Sequence, residues 1–431
     1  VAASLVITLA RRDGARTKDS LIAGGTSAVL LLLVSNLSGL WTLLDITRIG
    51  PTWLLNWYSG NHYDRVDKIV TWRPDDFWWW WKSSRITNSF SETGDELDFT
   101  IQEFPFFSFL LGDFHPHLMS IPFVITGLTV LTALFIANRS ISFRALKNNI
   151  PAALIVAVVI GATGFINFWD VGLLLLLSTG LVVAGWVSTR QSSPMSFVRA
   201  VLPLTTLWLI GVLIFSPFYF GTAESQVQWP PLAPVKYGSR PVHFLTVWLL
   251  LITVAAPTAI LLSKSYVQLI NRKLRGSVIA RSKDSQMFWR PAWITGLVLT
   301  VGPWLIWAIT HLAFNKLSQA SDLVTRLPVT GALAVISVIL IAVVLTRARR
   351  GADDGAHYVL LLGALAIYLL FSAELFFVND LFGNRMNTVF KFYYQSWIVL
   401  SVVGGYGVHV WAKHHSLLSG TPKLFSRIAI V

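Results

Sequence analysis

The 431-residue sequence contains no cysteine, so disulfides, thiolate nucleophiles and cysteine metal sites are excluded. Charge is also scarce. Asp, Glu, Lys and Arg make up 13% of the chain, about half the usual share of a soluble domain. Acids are rarer than bases, 21 against 34, which leaves a formal net charge of +13. No Walker loop, no G-x-G-x-x-G in a strand–helix setting, no G-x-S-x-G and no H-E-x-x-H occurs. Nucleotide binding, serine hydrolysis and zinc proteolysis therefore lack their usual sequence support.

Apolar residues are what the chain has in quantity: 54% of it is hydrophobic, with a mean hydropathy of +0.62. Several runs approach or exceed the roughly 20 residues that carry a helix across a bilayer. They are continuous rather than alternating, which excludes a transmembrane β-barrel. The fold class is all-α, a polytopic integral membrane protein. About ten spans are expected, at 20–44, 105–137, 150–168, 171–187, 199–220, 243–263, 291–313, 327–346, 357–378 and 393–412. VAASLVITLA, at 1–10, is half a span followed by basic residues. It is neither a signal peptide nor a full helix, and the chain reads as an N-terminally truncated fragment.

The basic residues lie in short loops beside the spans, where they set topology, so no nucleic-acid partner is expected. Every second loop is enriched, from Arg11, Arg12, Arg16 and Lys18 through the 264–290 loop to Arg347, Arg349 and Arg350. These loops are assigned to the cytoplasm. The alternate loops carry most of the acids, so the chain reads as a multi-pass protein of the cell membrane with an extracytoplasmic working face. Residues 1–431 form one helical domain in this reading, with 45–104 as a long outward-facing loop. Loops of such length are usually functional or disordered.

That loop contains DDFWWWWKSSR (75–85). Four consecutive tryptophans beside Lys82 and Arg85 suit an anchor at headgroup depth. They equally suit a platform that stacks a sugar, with Arg85 holding a lipid phosphate. EFPFFSFLLGDFHPHLMSIPF (103–123) places polar groups in a run otherwise fit for lipid, where ionisable residues usually have a task or a partner. Glu103 and Asp113 flank a helical run about 15 Å long at 1.5 Å per residue. Asp113, His115 and His117 alternate, so an extended backbone projects them to one face. A carboxylate with two imidazoles can hold a divalent metal ion, and it can equally be a base with its orienting partners. The plain alternative is a turn that starts a helix, with Asp113 capping and Pro116 in the first turn.

GFINFWD (164–170) puts Asn167 and Asp170 where one span ends and the next begins. A tight turn explains them, as does a site on the working face. AELFFVNDLFGNRMNTVFKFYYQSW (373–397) brings Glu374 to the outer end of a span. It then sets Asn384, Thr388, Lys391 and Gln395 at helical spacing. A polar stripe on a helix expected to face lipid favours a pocket. Arg385 and Lys391 either snorkel to headgroups or bind a phosphate.

EFPFFSFLLGDFHPHLMSIPF, INFWD and NRMNTVFKFYYQSW, in this order, together resemble the Chlor-Arch-YYY family of uncharacterised membrane proteins, which also carries an aromatic-rich SR segment like WWWWKSSRI. That family is in turn similar to GT-C glycosyltransferases, multi-span enzymes that take a sugar from a polyprenyl-phosphate donor using acids on outward loops. The resemblance covers most of the chain and includes Asn387 in its R-x-N-T segment. It implies a lipid-linked sugar as substrate and membrane lipid as surroundings. In this reading Asp113 or Glu103 acts as general base, oriented by His115 and His117. Arg385 and Lys391 stabilise the departing lipid phosphate. Arg85, Asn167, Asp170, Glu374, Asn387 and Gln395 line the substrate site. The family's N-terminal tyrosine triplet is absent. GT-C enzymes place a catalytic acid in their first outward loop, so either this fragment lacks that acid or Asp113 supplies it. Two other readings compete: a flippase or transporter of lipid-linked saccharides, and a membrane hydrolase with a metal on Asp113, His115 and His117.

Overall fold

Inside lipid a continuous apolar run satisfies its backbone only as a helix. Helices are what these runs form in the computed structural model, which describes residues 1–59, 70–90, 96–112, 114–138, 141–189, 193–222, 228–275, 283–314 and 320–414. In chain order they are α1 (Ala2–Arg12), α2 (Thr17–Leu32), α3 (Ser38–Ile46), α4 (Thr52–Ser59), α5 (Pro105–Leu111), α6 (Pro116–Met119), α7 (Ile121–Asn138) and α8 (Phe143–Asn148). Then follow α9 (Ile150–Ile166), α10 (Asp170–Ser188), α11 (Pro194–Ile214), α12 (Pro241–Arg275), α13 (Lys283–Phe314), α14 (Ala320–Arg349), α15 (Gly355–Leu375) and α16 (Met386–His414). Two short antiparallel ladders accompany them. β1 (Ser89–Phe90) pairs with β2 (Glu96–Asp98), and β3 (Leu232–Pro234) pairs with β4 (Phe376–Val378).

The protein is an all-α, multi-pass membrane protein. Among the described residues six helices are both long and apolar enough to cross a membrane: Asp170–Ser188, Pro194–Ile214, Pro241–Ser263, Pro291–Ala313, Leu323–Arg349 and Gly355–Leu375. Ile121–Ala137 and Ile150–Ile166 are shorter apolar helices. The expected run at 20–44 is two helices rather than one. At the break, Asn36 donates to the Ser83 carbonyl at 2.7 Å and accepts from the Ser38 amide at 3.1 Å. Such side-chain bonds compete with the helical ladder. The run at 105–137 is likewise interrupted. Gly112 closes α5 in the left-handed region at φ +68°, a conformation that favours glycine. Pro116 then opens α6 from an extended His115, as a first-turn proline should.

The centre of the bundle is α15 and α16, buried along almost their whole length. α16 packs on α1, α2, α12 and α15. A Cβ on Gly405 would lie 2.5 Å from Ser27 Cβ, so the missing side chain is what lets α2 and α16 approach. The expectation that α16 faces lipid is therefore corrected. Its stripe is polar because it faces protein. Apolar side chains left exposed on the outside, such as Ile155, Leu209, Leu213, Val298 and Ile309, suit contact with lipid.

One end of the bundle is closed by a clamp. The Asp13 carboxylate accepts from the Gly355 and Ala356 amides at 2.7 and 2.9 Å at the positive start of α15. Tyr406 donates to the same carboxylate. Asp354 caps α15 through the His357 amide and pairs with Arg347. Burial works to raise the Asp354 carboxyl, but Arg347 outweighs it and holds the group below the ordinary carboxylate value. The candidate site lies toward the opposite end of α16. Lys391 and Tyr406 are separated by about 22 Å of helix at 1.5 Å per residue.

Candidate functional site

The site begins with an extended strip of chain pinned by a buried glutamine. Gln102 accepts from the Ile86 and Thr87 amides at 2.7 and 3.0 Å. Its side-chain amide donates to Thr100 Oγ1 at 2.6 Å, and its backbone amide donates to the Ser84 carbonyl at 2.9 Å. Asn88 Oδ1 accepts from the Thr100 amide at 2.8 Å. This stitching lays Arg85 beside Glu103, with Nη1 to Oε1 at 3.9 Å. The guanidinium also sits over the Trp81 and Phe99 rings, at 5.2 and 5.5 Å. Phe104 stacks on Trp397 at 5.1 Å and fixes the next residue against α16.

His117, in α6, is clasped between Phe390 and Tyr394 of α16, with ring centroids 4.7 and 5.0 Å away. Its Nε2 faces Glu103 Oε2 across 3.5 Å, too far for a proper hydrogen bond. Burial pushes the imidazole below the ordinary histidine value, and Glu103 opposes that shift. His117 is therefore neutral near pH 7, with a nitrogen free to take a proton.

The turn between α9 and α10 completes the cluster. Gln395 Nε2 donates to the Trp169 carbonyl at 2.9 Å and to Asp170 Oδ1 at 3.0 Å, which binds INFWD to α16. Lys391 lies one helical turn earlier, its ammonium 3.9 Å from the Phe390 ring centre. Both Asp170 and Glu103 act on its charge. Among the described residues, Glu103 Oε2, both ring nitrogens of His117, Asn167 Nδ2, Asp170 Oδ2 and Gln395 Oε1 are buried without a hydrogen-bond partner. Such atoms are rare in native structures and call for an explanation, catalysis among them.

The predicted residues thus divide. Arg85, Glu103, His117, Asn167, Asp170, Lys391 and Gln395 come together. Arg385 and Glu374 belong to a second cluster. Arg385 donates to Asp98 Oδ2 at 2.7 Å and to Glu374 Oε2 at 3.3 Å, and is 2% exposed. Glu374 also accepts from the Ser239 amide, the Ser239 hydroxyl and the Tyr393 hydroxyl, at 2.9, 2.6 and 3.0 Å. A guanidinium engaged by two buried carboxylates is already neutralised. Asn387 donates to Asp380 at 2.7 Å. Of the expected stripe, Asn384 accepts from the Met386 amide and Thr388 from the Val378 amide, both at 2.9 Å. Only Lys391 and Gln395 reach the site.

Asp113 lies outside the described residues, so the set Asp113, His115 and His117 is represented by its imidazoles alone. Those two rings are 5.8 Å apart between centroids, and His115 is exposed. Among the described residues no three His, Asp or Glu side chains gather as metal ligands do. Gln102, Asn88 and Asp98 escaped the sequence reading. Their partners are backbone groups, the Thr100 hydroxyl or a residue 287 positions away, and none of these leaves a spacing pattern.

A family model described as an uncharacterized membrane protein (DUF2298) matches residues 1–400. No curated protein and no solved structure matches the chain. The resemblance to an uncharacterised membrane family is borne out; the likeness to GT-C enzymes is not shown by these comparisons.

Proposed function

The chain belongs to the family of uncharacterised membrane proteins designated DUF2298, and from that premise we propose that it transfers a sugar from a polyprenyl-phosphate donor to an acceptor hydroxyl, on the extracytoplasmic face of the cell membrane. One observation carries this reading: three motifs far apart in sequence contribute to a single buried cluster that leaves acid, base and amide atoms unpaired. A purely structural turn would have no need of such atoms.

Glu103 takes the proton of the acceptor hydroxyl. The acceptor oxygen bonds to the anomeric carbon while the bond from that carbon to the phosphate oxygen breaks. The electron pair leaves with the lipid phosphate, whose charge Lys391 and Arg85 stabilise. Neutral His117, 3.5 Å from Glu103, takes the proton from the carboxylate onto its free ring nitrogen once the two close to hydrogen-bond distance. Asp170, held by Gln395, positions Lys391. Asn167 and Gln395 offer an amide donor and an acceptor to sugar hydroxyls. Because Arg385 is already engaged by Asp98 and Glu374, this scheme gives it the task of holding the strip that leads to Glu103.

The test compares intact protein with Glu103→Gln in native-like membranes at equal expression. Polyprenyl-phosphate sugars are followed by mass spectrometry. Donor consumption and a glycosylated product with wild type alone are expected. Equal donor levels in both, with donors supplied, would sink the transferase reading and favour transport without chemistry.

A further inference from the structure

Beside the buried cluster lies a groove of about 450 Å³ lined by Asp76, Trp78, Trp81, Lys82 and Leu111. Its size is within the range of small-ligand pockets. The sequence builds it from a single 3₁₀ turn, Trp79–Ser84, which Asp76 supports by accepting from the Trp78 amide at 2.9 Å. Trp78 and Trp81 meet edge to face, with centroids 6.5 Å apart at 87°, so they present two differently oriented aromatic walls. They remain 52% and 38% exposed. Trp80 and Trp81 both pack on Phe107, at 5.3 and 5.7 Å, and of the two Trp80 is the more buried. The tryptophan run therefore does not act as one greasy anchor. Trp80 and Trp81 hold the turn to the bundle through Phe107, Trp78 and Trp81 line the recess, and Trp79 lies outside its lining.

We propose that this groove is a binding subsite for a saccharide, the part of the acceptor that extends away from the reacting hydroxyl. The inference rests on the transferase reading for its place in the reaction. Its geometry stands apart from that reading. Sugar rings offer flat C–H faces to indoles, and their hydroxyls both donate and accept. A carboxylate and an ammonium in its lining, Asp76 and Lys82, match such hydroxyls and offset each other in charge. A lipid tail has no use for either group, and with the two charges cancelling the groove has no net attraction for an anionic headgroup. The groove adjoins the site through side chains: Trp81 carries Arg85 on its ring at 5.2 Å, and Arg85 reaches Glu103 at 3.9 Å. Leu111 ends α5, six residues before His117 in α6.

The experiment uses the full chain in nanodiscs on a printed array of neutral and hexosamine oligosaccharides. Wild type should bind at least one glycan. Trp78→Ala and Asp76→Asn should each weaken that binding tenfold or more, and Trp72→Ala, outside the groove, should not. Size-exclusion profiles identify any variant that fails to fold, and the conservative Trp78→Phe should recover part of the binding. No glycan bound by wild type, or equal binding by wild type and Trp78→Ala, overturns the proposal. So does quenching by brominated lipid that disappears in Trp78→Phe, because lipid then fills the groove. Glu103→Gln, which removes transfer in the reading above, should keep glycan binding. Binding without any transfer therefore condemns the transferase reading alone, and transfer with binding unchanged in the groove variants condemns the groove alone.

Discussion

Two buried ionic clusters lie near the same end of α16, and they are built on opposite plans. Around Arg385, Asp98 and Glu374 share one guanidinium, and Glu374 takes three further bonds from Ser239 and Tyr393. Around Glu103 the charges are less deeply buried, with Arg85 and Lys391 only partly covered, and ring nitrogens, carboxylate oxygens and amide atoms have no hydrogen-bond partner among the described residues. Within the Arg385 cluster, one guanidinium nitrogen of Arg385 shares that condition among the described residues. A satisfied network rigidifies, and a partly satisfied one is costly unless something else uses it. The comparison teaches that buried charge does not by itself mark a site. What marks it is buried charge that the protein leaves available.

The largest expected effect would break this comparison at its structural side. Arg385→Ala leaves two carboxylates buried and unpaired, a loss of about 3–5 kcal/mol. Little folded protein should survive a fluorescence size-exclusion assay at elevated temperature. Lys391→Met should stay much closer to wild type in that assay. If the two variants melt alike, the distinction between a frame and a site fails.

At the site, Glu103→Gln should lower transfer by about 10²–10⁴-fold, the usual contribution of a positioned base, with the folded yield unchanged. A matching collapse in yield would mean that Glu103 is part of the frame. The next effect concerns pH. His117 has its value lowered by burial against the pull of Glu103, so it stays neutral below the ordinary value of about 6.5. Transfer should hold as pH falls past that point and decline only when the lowered value is reached and the imidazole charges. His117→Gln should abolish that acid limb; an unaltered limb would assign it to another group.

A smaller effect is expected from Gln102→Leu. Two backbone amides lose their acceptor, which costs about 1–3 kcal/mol, and Arg85 is freed from Glu103. Thermal unfolding together with the transfer assay reads both consequences, and transfer unchanged in the folded fraction would remove Gln102 from the positioning of Arg85. The smallest effect sharpens the comparison with the clamp at the other end of the bundle. Asp354 has its value lowered by Arg347. The stability it supplies is complete above the unfolded carboxylate value of about 3.9 and is lost as pH falls through the lowered folded value. Melting temperatures from pH 6 to pH 3 should therefore drop more steeply in wild type than in Arg347→Gln.

Continuous apolar runs are enough to fix an all-helical membrane protein, because in lipid such runs satisfy their backbone as helices. The sequence also singles out most of the groups that gather in the candidate site. Glu103, His117, Asp170 and Lys391 stand out because ionisable groups near membrane-spanning segments are costly and therefore informative. Tertiary structure alone decided how those groups are shared out. Arg385 and Lys391 sit six residues apart on the chain and look alike in sequence. One meets Asp98 and Glu374, and the other is placed near Asp170 and Glu103. Likewise α16 reads as a helix for lipid but fills the centre of the bundle, and Gln102 works through backbone amides that any residue would carry. Hydropathy records what a residue is, whereas pairing depends on what lies opposite it after the helices pack. Strips of chain distant in sequence bring those partners together, and no local pattern encodes that meeting.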